Sequence, residues 1–237
     1  MNKAADFVVS LLYPRRCPVC DDVLRRGEKL IHERCEKKIR PVGRTTCMKC
    51  GKPIKDKTGE FCDDCVKTTH CFDRGYSIFR YRSVSGSIYR FKYAGRREYA
   101  DFYAEKAKKY LGSTIKAINP DAIIPIPMYA AKMRKRGYNQ AAVLAKAIGK
   151  ACNVPVYENV IIRTRNTVPM KLLDQQGRRS NLKKAFNIRR NDVKFKCIIL
   201  IDDIYTTGST IDAVAKEFRR MGVERIYFVT LAIGQVV

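Results

Sequence analysis

The sequence predicts an α/β protein, built on a parallel sheet with helices on its faces and preceded by a small metal-binding module. Three observations carry that prediction. Beyond about residue 75, apolar runs of strand length alternate with segments of helical periodicity. Before that point, cysteines recur in pairs two residues apart. Late in the chain, the apolar run "IILI" stops on Asp202 and Asp203, and a polar loop with one glycine follows.

At the start, "AADFVVSLLYP" has a short apolar run but no basic leader and no small-residue cleavage site. A secretory signal is not expected, and no stretch is long enough to span a bilayer. The expectation is a cytoplasmic protein without membrane insertion. Eight of the ten cysteines lie before Phe72. They form the pairs Cys17/Cys20, Cys47/Cys50 and Cys62/Cys65, with His32/Cys35 holding the same spacing. Short knuckles of this kind present two soft ligands on one side of a turn and suit tetrahedral zinc. A disulfide framework fits poorly with a chain lacking a secretion signal. Cys47, Cys50, Cys62 and Cys65 make one self-contained site, and Cys17, Cys20, His32 and Cys35 make a second of the same design. One or two structural zinc ions are expected, with His70 and Cys71 outside the ligand set.

The module is assigned to residues 1–75 and the α/β domain to 76–237. In the latter, "RGYSIFRYRS" reads as a strand and "REYADFYAEKAKKYL" as a helix closing at Gly112. "DAIIPIP" is a short buried strand cut off by prolines. "NQAAVLAKAIGKA" is a helix with Asn139 as its cap, and "NVIIRTR" a strand. Residues 164–185 are polar with little periodicity. Then follow the strand "KCIILI", the helix "STIDAVAKEFRRMG" and the strand "ERIYFVTLAI".

Ligands of parallel sheets sit beyond the carboxyl ends of the strands, where Asp202 and Asp203 stand. Backbone N–H groups of Thr206, Thr207, Gly208, Ser209 and Thr210, together with a helix N-terminus, form a phosphate cradle. The lysine and glycine spacing of a Walker loop are missing. Paired carboxylates beside such a cradle suit a sugar phosphate whose vicinal hydroxyls donate to the acids. The net charge of +25 comes from 48 Lys and Arg against 23 Asp and Glu, and it predicts attraction to polyanions. Most of the excess lies outside the module: residues 1–75 hold 17 basic and 11 acidic residues, the remainder 31 and 12.

"ILIDDIYTTGST" resembles the phosphoribosyl-pyrophosphate (PRPP) motif of type I phosphoribosyltransferases. The paired knuckles, "FKYAGRREYA", "IIPIPMYAAKMRKRGYNQA", "RTRNTVPM" and "NLKKAF" resemble, in that order, the ComF family of competence proteins, from about Leu11 to Ala232. The resemblance implies a type I phosphoribosyltransferase fold behind the zinc module. It also implies ribose hydroxyls held by Asp202 and Asp203, the 5′-phosphate by Thr206 to Thr210, and pyrophosphate met by Pro125 to Met128, with Pro127 and Met128 in the loop. Lys92, Arg134 and Arg136 would face the pyrophosphate and Mg²⁺-bound oxygens, with Arg163, Arg165 and Arg178 ranked behind them. Thr206 stands where nucleobase-salvage members often carry an acid, and Met170 where ComF relatives often have Gln. With few residues after Ala232, any nucleobase hood is expected from the zinc module.

Two functions are carried forward. One is a DNA-uptake protein of natural transformation that binds PRPP with magnesium and single-stranded DNA, with competence-machinery proteins as further expected partners. Its aromatics interleaved with cations, among them Tyr76, Phe79, Tyr81 and Phe91, would stack on bases, although at least half of these four are expected in the core. The alternative is a catalytic phosphoribosyltransferase with an unknown acceptor, or a PRPP-sensing regulator without turnover.

Overall fold

A computed structural model of the protein describes residues 14–25, 27–28, 30–54, 59–165, 185–189 and 194–234. Its centre is a four-stranded, all-parallel sheet in the order β1-β6-β5-β2. The strands are β1 (Arg74–Arg80), β2 (Ala122–Pro125), β5 (Cys197–Tyr205) and β6 (Arg225–Ile233). A second ladder pairs β3 (Ile161–Arg163) with β4 (Phe186–Ile188), antiparallel. β2, β5 and β6 are apolar almost throughout because both faces of the sheet are covered.

The helices are α1 (Glu33–Glu36), α2 (Asp63–Val66), α3 (Tyr81–Tyr93), α4 (Tyr99–Ile118), α5 (Ala130–Arg136), α6 (Gln140–Cys152) and α7 (Ser209–Arg220). One face of the sheet buries Ile199, Ile201, Val229 and Leu231 against apolar residues of α3, α4 and α6. The other buries Ile198, Leu200, Ile226 and Phe228 against α7, the β3–β4 ladder and the cysteine module.

Two of the segments that differ from the sequence expectation lie early in the α/β domain. The strand expected over 74–83 ends at Arg80, and a helix starts at once. Val84, Ser87, Ile88 and Phe91 lie on its one buried face, a helical spacing hidden among aromatics that favour strands. The next helix does not close at Gly112. It continues through Ile115 and Ile118, both buried, to Asn119 in the left-handed region (φ 48°). Continued packing outweighs a glycine penalty of about 1 kcal/mol. α6 follows its sequence signal: Asn139 Oδ1 accepts from Ala141 N at 3.0 Å.

The cysteine-bearing segments clasp the β1 edge. Val42 N donates to Ile78 O, Arg80 N to Arg40 O and Gly75 N to Lys49 O, at 2.8–3.0 Å. This covers backbone groups that an open sheet edge would leave unpaired. Ser83 strengthens the join, since its hydroxyl accepts from Arg40 N and donates to Arg80 O. No helix among the described residues is long and apolar enough to cross a membrane.

Candidate functional site

β5 carries both aspartates inside the strand rather than beyond it. β2 ends at Pro125, which pairs with Ile201, while β5 continues to Tyr205 beside β6. The overhang gives Asp202 and Asp203 no strand partner on the β2 side, where the Pro127–Met128 loop emerges. The chain then turns through Thr206, Thr207 and Gly208 into α7. With Asp202, Ile204, Tyr205, Ser209, Thr210 and Ile211, these residues line a small open cavity of about 30 Å³.

Gly208 adopts φ +79°, and a Cβ there would lie 2.7 Å from the Tyr205 hydroxyl. The turn therefore requires glycine twice over, for conformation and for space. Asp212 N reaches back to Gly208 O at 2.8 Å, and the Thr207 and Ser209 hydroxyls lie 3.0 Å apart. Gly208 is the N-cap of α7 and offers no side-chain cap, so the first-turn N–H groups face the cavity side of the loop without a cap from it.

Asp203 is buried and held from two directions. Lys92 Nζ lies 2.9 Å from its Oδ2, and Gln140 Nε2 donates to the same oxygen at 2.7 Å. Arg136 Nη1 donates to Gln140 Oε1 at 2.5 Å, so α3, α5, α6 and β5 converge on one carboxylate. Burial alone would lower the Lys92 pKa, but the Asp203 carboxylate outweighs it and raises the pKa above the ordinary lysine value. Asp202 Oδ1 accepts from Asp203 N at 2.8 Å. Burial first, then the Asp203 charge, pushes the Asp202 carboxyl up to about 7.

Of the other predicted cations, Arg134 is exposed on α5. Arg163, ranked behind the others, sits close enough to Asp202 to feel its charge. Lys132 was not singled out. Burial, then Arg163 and Arg136, depress its pKa, which marks a crowd of cations on this side of the acids. Arg165 is exposed, and Arg178 and Met170 lie outside the described residues. Gln140 was read only as a helix residue after the Asn139 cap. Nothing in its periodicity distinguishes it, because its role depends on which strand α6 meets.

Both cysteine groups are assembled. In each, the four candidate donor atoms lie within 4.8 Å of one another. Tetrahedral zinc with Zn–S bonds of about 2.3 Å places sulfurs about 3.8 Å apart. Cys50 and Cys62 sulfurs stand at 3.6 Å, and no disulfide joins the described cysteines. His32 turns Nδ1 to Cys20 Sγ (3.2 Å), while Nε2 lies 3.1 Å from Val23 O. That fixes Nδ1 as the donor towards a metal and Nε2–H as the anchor. The donor sets fit zinc. His70 and Cys71 stand apart from both sets. His70 Nδ1 meets Asp212 Oδ2 at 2.6 Å, Cys71 N donates to Asp212 Oδ1, and the imidazole stacks on Phe72 at 4.6 Å. The segment that follows the second cysteine group thus reaches the first turn of α7.

A family model described as a phosphoribosyl transferase domain matches residues 97–235, and one described as a double zinc ribbon domain matches residues 8–66. The chain belongs to the phosphoribosyltransferase family. Within it, this phosphoribosyltransferase-fold protein is of the ComF type, with a zinc-binding N-terminal module. It is 29% identical over 222 residues to Competence protein F of Haemophilus influenzae, covering 89% of this chain and 93% of that one. It is 26% identical to Competence protein ComFC of Bacillus subtilis, covering 82% and 79%. DNA utilization protein YhgH of Escherichia coli K12 is likewise 26% identical, covering 90% and 94%. The zinc of this ComF-type phosphoribosyltransferase is structural, since each four-donor set leaves no open position for a substrate.

Proposed function

We propose that this is a cytoplasmic protein of DNA uptake that binds PRPP with magnesium at Asp202, Asp203 and the 206–210 loop, and binds single-stranded DNA on its basic surface. One observation carries the PRPP reading: two acids, one buried and fixed by Lys92 and Gln140, stand beside a loop that turns on a left-handed glycine into a helix N-terminus. Asp202 and Asp203 accept the ribose hydroxyls. Backbone N–H groups of the loop, with the Thr207 and Ser209 hydroxyls, take the 5′-phosphate. Pro127 and Met128 sit at the adjacent strand end, and Lys92, Arg134, Arg136 and Arg163 supply positive charge towards the pyrophosphate. Magnesium, when bound, would supply further positive charge towards the pyrophosphate. Residues 1–75 brace this domain through two zinc sites, with Cys17, Cys20, His32 and Cys35 in one and Cys47, Cys50, Cys62 and Cys65 in the other. The DNA reading is supported by the charge and by the names of the relatives.

Calorimetric titration of PRPP and Mg²⁺ into the protein and into Asp202→Ala/Asp203→Ala tests the site, with pyrophosphate assayed alongside. Saturable binding by the parent, at least 10-fold weaker in the variant, is expected. Equal heats from the two proteins would refute the assignment. Pyrophosphate release dependent on the acids would favour the catalytic alternative.

A further inference from the structure

Helix α3 buries one face and leaves the other bare. Tyr89 is 63% and Tyr93 62% exposed, at i and i+4 on the open side. Their ring centroids lie 5.1 Å apart, tilted by 47°. The Arg136 guanidinium stands 4.8 Å from the Tyr93 centroid. Arg136 also holds Gln140, which holds Asp203, and Lys92 beside Tyr93 pairs with the same acid. The two rings therefore sit at the rim of the acid site.

Three further features bear on what covers them. Exposed Gly86 stands three positions before Tyr89 in mid-helix, where glycine costs about 1 kcal/mol. Its φ is not in the left-handed region, and a Cβ there would meet only the end of Arg90 at 3.5 Å, so the fold does not require it. α5, whose Arg136 lies against Tyr93, also presents Arg134 and Lys135 to solvent. Finally, the four aromatics that the sequence offered as stacking residues are unsuited to it: Phe79 and Phe91 are fully buried, and Tyr76 and Tyr81 pack partly against the core.

We propose that Tyr89 and Tyr93 form a stacking platform for the bases of single-stranded DNA, with its phosphates lying along α5. Exposed rings flanked by cations hold unstacked bases without reading sequence, whereas duplex bases are already stacked on one another. The inference rests on the DNA reading above and assigns it a place. The strand then crosses the mouth of the acid site, so that one face of the molecule serves both ligands.

The test is fluorescence anisotropy of a labelled oligothymidylate of about 20 nucleotides across a salt series. The proteins are the parent, Tyr89→Ala/Tyr93→Ala and Tyr89→Phe/Tyr93→Phe, each with zinc content and thermal transition recorded to establish folding. A folded alanine variant should bind about 10-fold or more weakly with the salt slope unchanged, and the phenylalanine variant should stay within about 2-fold of the parent. A blunt duplex should respond to neither change. Parental affinity in the alanine variant overturns the platform alone. So does an equal loss in the phenylalanine variant or on duplex, which would mean the rings are not stacking on bases. Absence of salt-sensitive binding by the parent overturns the platform and the DNA reading together.

Discussion

Asp202 is an acid placed where burial opposes its charge, and this sets a trade between folding and binding. Its folded pKa of about 7 lies above the unfolded carboxylate value, so the native state binds the proton more tightly. Stability from this group is full below the unfolded pKa and is lost as pH rises through about 7. Asp202→Asn should therefore unfold at a higher temperature than the parent at pH 8, by the equivalent of about 1–2 kcal/mol, with the gap closing towards pH 4. Calorimetric melts at the two pH values measure it. PRPP affinity of the parent should move the other way, rising from pH 6 to pH 8 as the carboxylate forms. A pH-independent affinity would remove Asp202 from the ribose contact. At Gly208, alanine meets both a positive φ and the Tyr205 hydroxyl. Gly208→Ala should cost about 1–3 kcal/mol in urea melts and weaken PRPP more than that loss explains, since the loop itself must shift.

Individual elements show where sequence reading succeeds. Helix α6 was legible because its cap and period are local, and β5 because an apolar run so long must be buried. The cysteine groups were legible because ligand spacing is a local constraint, and His32 was found by its place in a repeat. Helix α3 was not, because residues such as Tyr81, Tyr89 and Phe91 fit strand and helix alike until their burial is known. Gln140 was missed for a related reason: only the docking of α6 on β5 gives its amide an acid to hold. The two zinc groups lie against different faces. Cys47 and Cys50 share a core with Phe72, Tyr205 and Phe228, whereas Val19, Leu30 and Ile31 beside the first group pack on the α3–α4 face. Tyr205 stacks on Phe228 at 4.9 Å directly beneath Gly208. Two zinc ions per chain are expected by elemental analysis. Cys65→Ser should lower the melting temperature and weaken PRPP binding together, while Cys20→Ser should destabilise with less effect on PRPP. Identical effects on PRPP from the two variants would contradict this division.

At the scale of the whole molecule, charge and topology dominate. With a net charge of +25, the logarithm of DNA affinity should fall linearly with the logarithm of salt concentration. Each removed α5 cation that touches a phosphate should lower that slope by about 1. Lys135→Ala provides the measurement, and an unchanged slope would place the phosphates elsewhere. The strand order has a different consequence. β6 lies between β1 and β5, so the second strand position of the sheet is filled by residues 225–233. On the ribosome, the cysteine segments can take up metal early, but β1 has no in-sheet neighbour until β6 has left the exit tunnel. Nascent chains thus carry a strand with one open edge until synthesis is nearly over, a state in which slow, long-range pairing invites aggregation. Segment 40–42, whose backbone pairs with one edge of that strand, leaves only the edge facing β6 open in this interval.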